Sequence, residues 1–249
     1  MSQKKRSMSL MILVLLLILI GCGKADRYAG FSQAEHALSW SNERNRSFGD
    51  ADYSKIEKEA KAFDLLQDKY NVVVPNYYET TKHTLTKELT SKTVKLGAVQ
   101  YAIFARNKEL EFRTLYPFYQ GEELQVFSEV ILTYAYSVDQ AQAYLKSQIV
   151  TIKIAPIKGT LPNDNQRELI TAIGKNMKLP DKKLETGLAG YEKRLKESEN
   201  PITDDYLPIV SNTSGLDKEQ EFLKEIAAVY DEVGTFRELY AEISDQKSK

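Results

Sequence analysis

The spacing of hydrophobic positions changes period along this chain. From Tyr53 to Tyr70 they recur every three or four residues, as Tyr53, Ile56, Ala60, Phe63, Leu66 and Tyr70, with Lys55, Lys58, Glu59 and Lys61 on other faces. That period predicts an amphipathic helix. The run from Val94 to Ala105 is almost continuously apolar; after a turn at Asn107 and Lys108, Leu110, Phe112, Thr114, Tyr116 and Phe118 alternate with Glu109, Glu111 and Arg113. A second turn at Gly121 leads into Leu124, Val126, Ser128, Val130, Leu132, Tyr134 and Tyr136. Alternation bounded by turn residues predicts long antiparallel strands in a meander. Ser137 and Gln140 offer a capping start for a short helix through Ala141, Tyr144 and Leu145, and Ile149 to Ile154 reads as a further strand.

Residues 156–165, with Pro156, Gly159 and Pro162, form the best internal boundary. Beyond it the pattern turns helical. Leu169, Ile170, Ile173 and Met177 make one stripe, and Leu184, Leu188, Tyr191 and Leu195 a second. Phe222, Ile226, Val229, Val233, Phe236, Tyr240 and Ile243 then follow a heptad rhythm, which predicts a long helix packed on the same chain or paired with another helix. Residues 76–92 are Thr-rich, with Leu85 and Leu89 the only aliphatics, and suit a weak helix or a solvated strand equally. The expected fold class is α+β: an N-terminal helix on an antiparallel β-meander, followed by a helical C-terminal region.

The first 22 residues have a different logic. Lys4, Lys5 and Arg6 are followed by an unbroken apolar run from Leu10 to Ile20, then Gly21 and Cys22, the only cysteine. A run of this length matches the core of a signal peptide, whereas a membrane-spanning helix needs about 20 apolar residues. The stretch Leu19-Ile20-Gly21-Cys22 resembles the lipobox of bacterial lipoproteins, in which a branched and a small residue precede the modified cysteine. The resemblance covers about the first tenth of the chain. It implies that the Cys22 thiol receives diacylglycerol and that cleavage falls between Gly21 and Cys22. A small Gly21 lets the peptidase approach the bond, and a thiol is a good nucleophile for the thioether. Acyl chains contribute about 0.8 kcal/mol per buried methylene, so the two chains of a diacylglycerol on Cys22, palmitate-like in length, make a stable anchor where one would be marginal. The chain would then be attached to the extracytoplasmic face of the cell membrane without spanning it. The competing reading is an uncleaved single-pass anchor with an incidental cysteine.

These features divide the chain into a signal peptide at 1–21, a lipidated N-terminus and stalk at 22–50, an α+β domain at 51–155 and a helical region at 156–249. In the stalk, Ser32 and Glu35 have capping-box spacing and allow a short helix from about Phe31 to Asn42. Treated as coil, the stalk would average roughly 30 Å, enough to clear the headgroups. Trp40 is better read as packing back on the domain than as a binding residue.

Composition sharpens the functional reading. The chain has 249 residues with 34 Lys+Arg against 35 Asp+Glu, a balance that excludes a strongly basic nucleic-acid binder. Removing Lys4, Lys5 and Arg6 with the signal leaves 228 residues of charge −4, which near an anionic bilayer repels the domain as a whole. With Cys22 consumed by lipid, no disulfide is available outside the cell. His36 and His83 stand apart from each other and from any further Cys, so a His-built metal site, a Ser-His-Asp triad and a Cys nucleophile are all disfavoured. Asp164, Asp204 and Asp205 could hold a hard cation but lack a calcium-loop pattern. No phosphate-cradling glycine motif is present. Tyr101, Tyr116, Tyr119, Tyr134 and Tyr136 cluster in the predicted sheet, where core packing is the simpler role. No catalytic residue, metal ligand or cofactor is expected. The chain reads as a lipid-anchored protein of a bacterial envelope that binds or assembles with another envelope component. The alternative is a solute-binding receptor of a membrane importer, although its order of elements lacks the repeated βα units usual in such receptors.

Overall fold

A computed structural model describes residues 26–156, 159, 161, 166–197, 206–217 and 220–248. Strands β1 (Ser41–Glu43), β2 (Gly49–Ile56), β3 (Val94–Leu96), β4 (Gln100–Asn107), β5 (Glu109–Gln120), β6 (Glu123–Ser137), β7 (Gln142–Ile154), β8 (Tyr206–Ser211), β9 (Leu223–Tyr230) and β10 (Phe236–Ser244) form one antiparallel sheet. Its order is β2-β4-β5-β6-β7-β10-β9-β8, with β1 pairing beside β7 and β3 beside β5. The described helices are α1 (Gln33–His36), α2 (Glu59–Asp64) continued by a π-turn at Leu65–Lys69, α3 (Asn76–Leu89), α4 (Gln166–Asn176) and α5 (Asp181–Glu197).

The meander forms where the alternation predicts it. Leu110, Phe112, Thr114, Tyr116 and Phe118 of β5 stand opposite Tyr134, Leu132, Val130, Ser128 and Val126 of β6, and this row continues across β7 as Ile154, Ile152, Val150 and Gln148. All of these residues are buried, because α2, α3, α4 and α5 lie on their face of the sheet. Residues 76–92, ambiguous in sequence, supply the helix α3, whose Tyr78 packs on Phe112 and whose Thr84 receives a hydrogen bond from Asn176 of α4.

The expected α+β class with a helical C-terminal region is overturned. The molecule is mostly one large sheet, and the residues expected to form its longest helix are the hairpin β9–β10. The heptad seam splits: Ile226 and Ile243 point to the helices, Val229 and Tyr240 to the opposite side, and Val233 sits 75% exposed at the turn. That turn is specified locally. Asp231 Oδ1 accepts from the Val233 and Thr235 amides at 3.1 and 2.8 Å, Asp231 Oδ2 accepts from Arg237 Nε at 2.6 Å, and Gly234 takes φ +78°. Two smaller expectations shift for the same reason. Residues 138–141 make a turn and 142–154 a single strand, in place of a helix then a strand. Tyr53 to Ile56 end β2, and the helix begins only at Glu59 after a left-handed Lys55 at φ 64°.

Residues 26–50 belong to the core. Tyr28, Phe31, Leu38 and Phe48 are buried, β1 and β2 are strands of the sheet, and Trp40 meets the Tyr134 ring edge-on at 5.4 Å. The short α1 begins at Ser32, whose hydroxyl accepts from the Glu35 amide at 3.3 Å. Glu35 is then placed to solve a problem that β9 creates. Lys224 points to the covered face and its side chain is 4% exposed; Glu35 pairs with its ammonium and accepts from the Phe222 amide at 3.1 Å. Strands on both sides of residues 156–165 join one sheet, since β10 pairs with β7 from Glu238↔Lys153 to Ser244↔Ser147.

Removing one member of a buried ion pair leaves an uncompensated charge, which costs about 3–5 kcal/mol, whereas an apolar replacement of both is often tolerated. Chemical denaturation is therefore expected to show a large loss for Glu35→Leu and for Lys224→Met. A smaller loss is expected for the double variant, the residue of it due to the Phe222 amide.

Candidate functional site

Side chains alternate across a strand, so a sheet covered on one face carries its other set of residues outward. None of the described helices crosses that second face. Three rows run along it in register. One passes Ala102, Arg113, Ile131, Ile149, Glu242 and Glu225. Leu115, Glu129, Thr151, Tyr240, Ala227 and Pro208 make the next. The last contains Phe127, Lys153, Glu238, Val229 and Tyr206. The surface is thus a mixture of half-buried apolar and charged groups.

Its two halves differ electrostatically. Over β5 and β6 the acids are paired, Glu111 with Arg113 at 2.6 Å and Glu129 with the same guanidinium at 3.2 Å. Over β8, β9 and β10 they are not. Glu225 and Glu242 are direct register partners, two carboxylates opposite one another on neighbouring strands. Among the described residues, Glu238 alone of the three acids here meets a cation, Lys153 at 3.5 Å. Tyr240 donates its hydroxyl to Glu242 at 2.7 Å, and the Tyr206 and Tyr240 rings lie 6.1 Å apart at 61°. Partial burial, then the neighbouring carboxylates, hold both phenols protonated well above their ordinary range: Glu225 acts chiefly on Tyr206 and Glu242 on Tyr240. Tyr206 remains 43% exposed. Carboxylates edged by aromatic rings suit a cationic side chain, which gains both a charge partner and a ring face.

The edge beside this zone is β8, and it is blunted. Pro208 lacks an N–H, a bulge interrupts the ladder between Pro208 and Val210, and α5 packs so closely that a Cβ on Gly187 would collide with the Ile209 carbonyl. Between α5 and this edge runs an open groove of about 590 Å³, lined by Pro180, Lys182, Lys183, Thr186, Ile209 and Ser211 among others.

Of the residues singled out in the sequence, Gly21 and Cys22 lie outside the described residues, as do Asp164, Asp204 and Asp205. His36 ends α1 near the Phe31 ring at 6.3 Å, and His83 lies on α3; among the described residues no group of three His, Cys, Asp or Glu side chains is placed to hold a metal. No described helix is long and apolar enough to cross a membrane. Tyr101, Tyr116 and Tyr134 are core residues: Tyr116 donates to Tyr78, which also meets Thr114 Oγ1 at 3.1 Å, and Tyr134 donates to the Val73 carbonyl at 3.1 Å. Tyr119 and Tyr136 are half-buried. The carboxylate–tyrosine zone is hidden from the sequence because the hydrophobic spacing over 222–243 predicts a helix there. The alternation of Glu238, Tyr240 and Glu242 with Leu239, Ala241 and Ile243, after the turn residue Gly234, is the signal that marks it. Against protein-family models, curated proteins and solved structures, the chain finds no match.

Like charges directly opposite on adjacent strands destabilise a sheet by roughly 0.2–1 kcal/mol. Glu225→Gln and Glu242→Gln are each expected to raise the denaturation midpoint slightly at neutral pH. An unchanged or lowered midpoint in both would show that the pair is structurally neutral.

Proposed function

We propose that this protein is a lipid-anchored extracytoplasmic module of a bacterial envelope, which holds another envelope protein by a cationic surface. Two features support the reading. The Leu19-Ile20-Gly21-Cys22 sequence provides the attachment point through lipid on Cys22. The opposed Glu225 and Glu242, flanked by Tyr206 and Tyr240 on a sheet face that no described helix covers, carries the binding half of the proposal. Such a pair weakens the isolated domain and is relieved by a partner's Lys or Arg, the balance expected where binding outweighs stability. The groove beside β8 is open, whereas sites for small solutes bury most of the ligand, so polypeptide contact fits this molecule better than a receptor for a small solute.

A photo-crosslinking residue at Tyr206 or Tyr240 in intact cells is expected to capture a discrete envelope protein, with capture lost in Glu225→Lys and Glu242→Lys. Capture of importer permease subunits, or yields indifferent to these charge reversals, would overturn the binding assignment. For the anchor, Cys22→Ser should release the protein from the membrane or leave an uncleaved precursor. Unchanged attachment and processed mass would falsify it.

A further inference from the structure

The path of the chain before β1 fixes where an anchor would pull. Asp26 is four residues after Cys22, a separation that spans at most about 14 Å when fully extended. Arg27 is held firmly: Nε donates to Asp245 Oδ2 at 2.8 Å, Nη1 donates to Gln140 Oε1 at 2.8 Å, and the guanidinium lies 3.6 Å over the Tyr144 ring. Gln140 belongs to the β6–β7 turn. The Ala141 carbonyl of that turn accepts from the Arg44 amide at 2.9 Å, the Asn107 carbonyl accepts from the Phe48 amide at 2.8 Å, and the Lys108 carbonyl accepts from the Tyr136 amide at 2.8 Å. Residues 44–48, 107–108 and 137–141 therefore form one end of the sheet, the end at which the chain emerges.

That end has the chemistry of a membrane contact. Val138, at the tip of the β6–β7 turn, is 55% exposed. Arg46 and Lys108 are exposed, and neither has an ion-pair partner among the described residues. Glu43 and Asp139 share the end, so the charge attraction is modest, and the short tether sets the orientation. The opposite end carries the β9–β10 turn with Val233, separated from Val138 by the 13 residues of β7, about 40 Å at strand rise.

We propose that the end formed by residues 44–48, 107–108 and 137–141 rests on the bilayer, with Val138 at headgroup level and Arg46 and Lys108 against anionic lipid headgroups. The proposal rests on lipid attachment at Cys22 and is independent of which protein binds the sheet face. The net charge of −4 repels the domain as a whole, but screening over about 8 Å leaves only the nearest groups to act on the headgroups.

Because the chain has no second cysteine, a lipidated Cys22 leaves an introduced thiol as the only reactive one. The full lipidated chain carrying Val138→Cys or Val233→Cys can be labelled with a polarity-sensitive fluorophore. It is then inserted into phosphatidylglycerol–phosphatidylcholine vesicles that contain a headgroup-level quencher lipid. Quenching is expected to be several-fold stronger at 138 than at 233, and to fall at 138 when Arg46→Glu and Lys108→Glu are added. Equal quenching at the two positions in a vesicle-bound, singly labelled chain overturns the orientation while leaving the anchor intact. A chain that does not float with the vesicles, or that takes a second label at Cys22, overturns the anchor.

Discussion

A broad antiparallel sheet has two faces and one chain with which to cover them, and here the described helices cover one. The N-terminal segment and α2, α3, α4 and α5 all lie over the row that runs from Leu110 through Leu132 and Gln148 to Ile243. This choice decides the rest of the molecule. It makes Thr114, Ser128, Gln148 and Lys224 buried polar groups that need partners, and it leaves Glu225, Glu242, Tyr206 and Tyr240 on the side that no described helix covers. Tyr78 meets Thr114, the Thr151 carbonyl accepts from Ser128 at 2.8 Å, the Leu38 carbonyl accepts from Gln148 at 2.9 Å, and Glu35 meets Lys224. Two of these four debts are settled by residues preceding β1. The segment ahead of the sheet is therefore part of its support, and a tether attached to it is coupled to the core.

The strands β5 and β6 were legible in the sequence because each has one covered and one half-exposed face, so burial writes a period of two that no helix can imitate over many residues. Tyr116 through Phe118 and Leu124 through Tyr134 needed no tertiary knowledge. Residues 222–243 were illegible for a physical reason. Two short strands with apolar residues on both faces, Ile226 and Ala228 inward and Val229 and Tyr240 outward, bring enough hydrophobic positions into a three-four spacing to resemble a helical seam. The tie-breaker is Asp231 and Gly234, whose turn chemistry cannot sit inside a helix without cost. Likewise Phe31 and Leu38 share one face of the short helix that the spacing allows in the stalk, but only the sheet, with Phe222 against Phe31 and Gln148 donating to the Leu38 carbonyl, shows what that face packs on.

The site was legible in reverse order. Cys22 stands out from sequence because lipidation reads a short linear motif. The carboxylate–tyrosine zone is assembled from β8, β9 and β10, and only register places Glu225 beside Glu242. The sheet's tyrosines are of two kinds: Tyr116 and Tyr134, placed in strands by the sequence, close hydrogen bonds inside the core, whereas Tyr206 and Tyr240, which the sequence did not place there, set ring faces beside carboxylates at the surface. Abundance of a residue type could not separate these roles; the face of the strand does.

Orientation joins the two halves of the functional reading. With the β6–β7 turn against the bilayer, the strands of the sheet run away from the membrane. Along β7, Ile149 lies seven residues from Gln142, about 23 Å at strand rise, and Ile149 is the register partner of Glu242. The carboxylate–tyrosine zone would then face sideways at roughly that height above the headgroups, nearly three Debye lengths of about 8 Å from the anionic surface. At such a distance the bilayer neither competes for the acidic pair nor repels it. A partner that reaches the pair must itself project from the membrane or arrive from the extracytoplasmic side. A polybasic segment lying flat on the lipid surface is excluded by this geometry, because anionic headgroups would hold it far below Glu225 and Glu242.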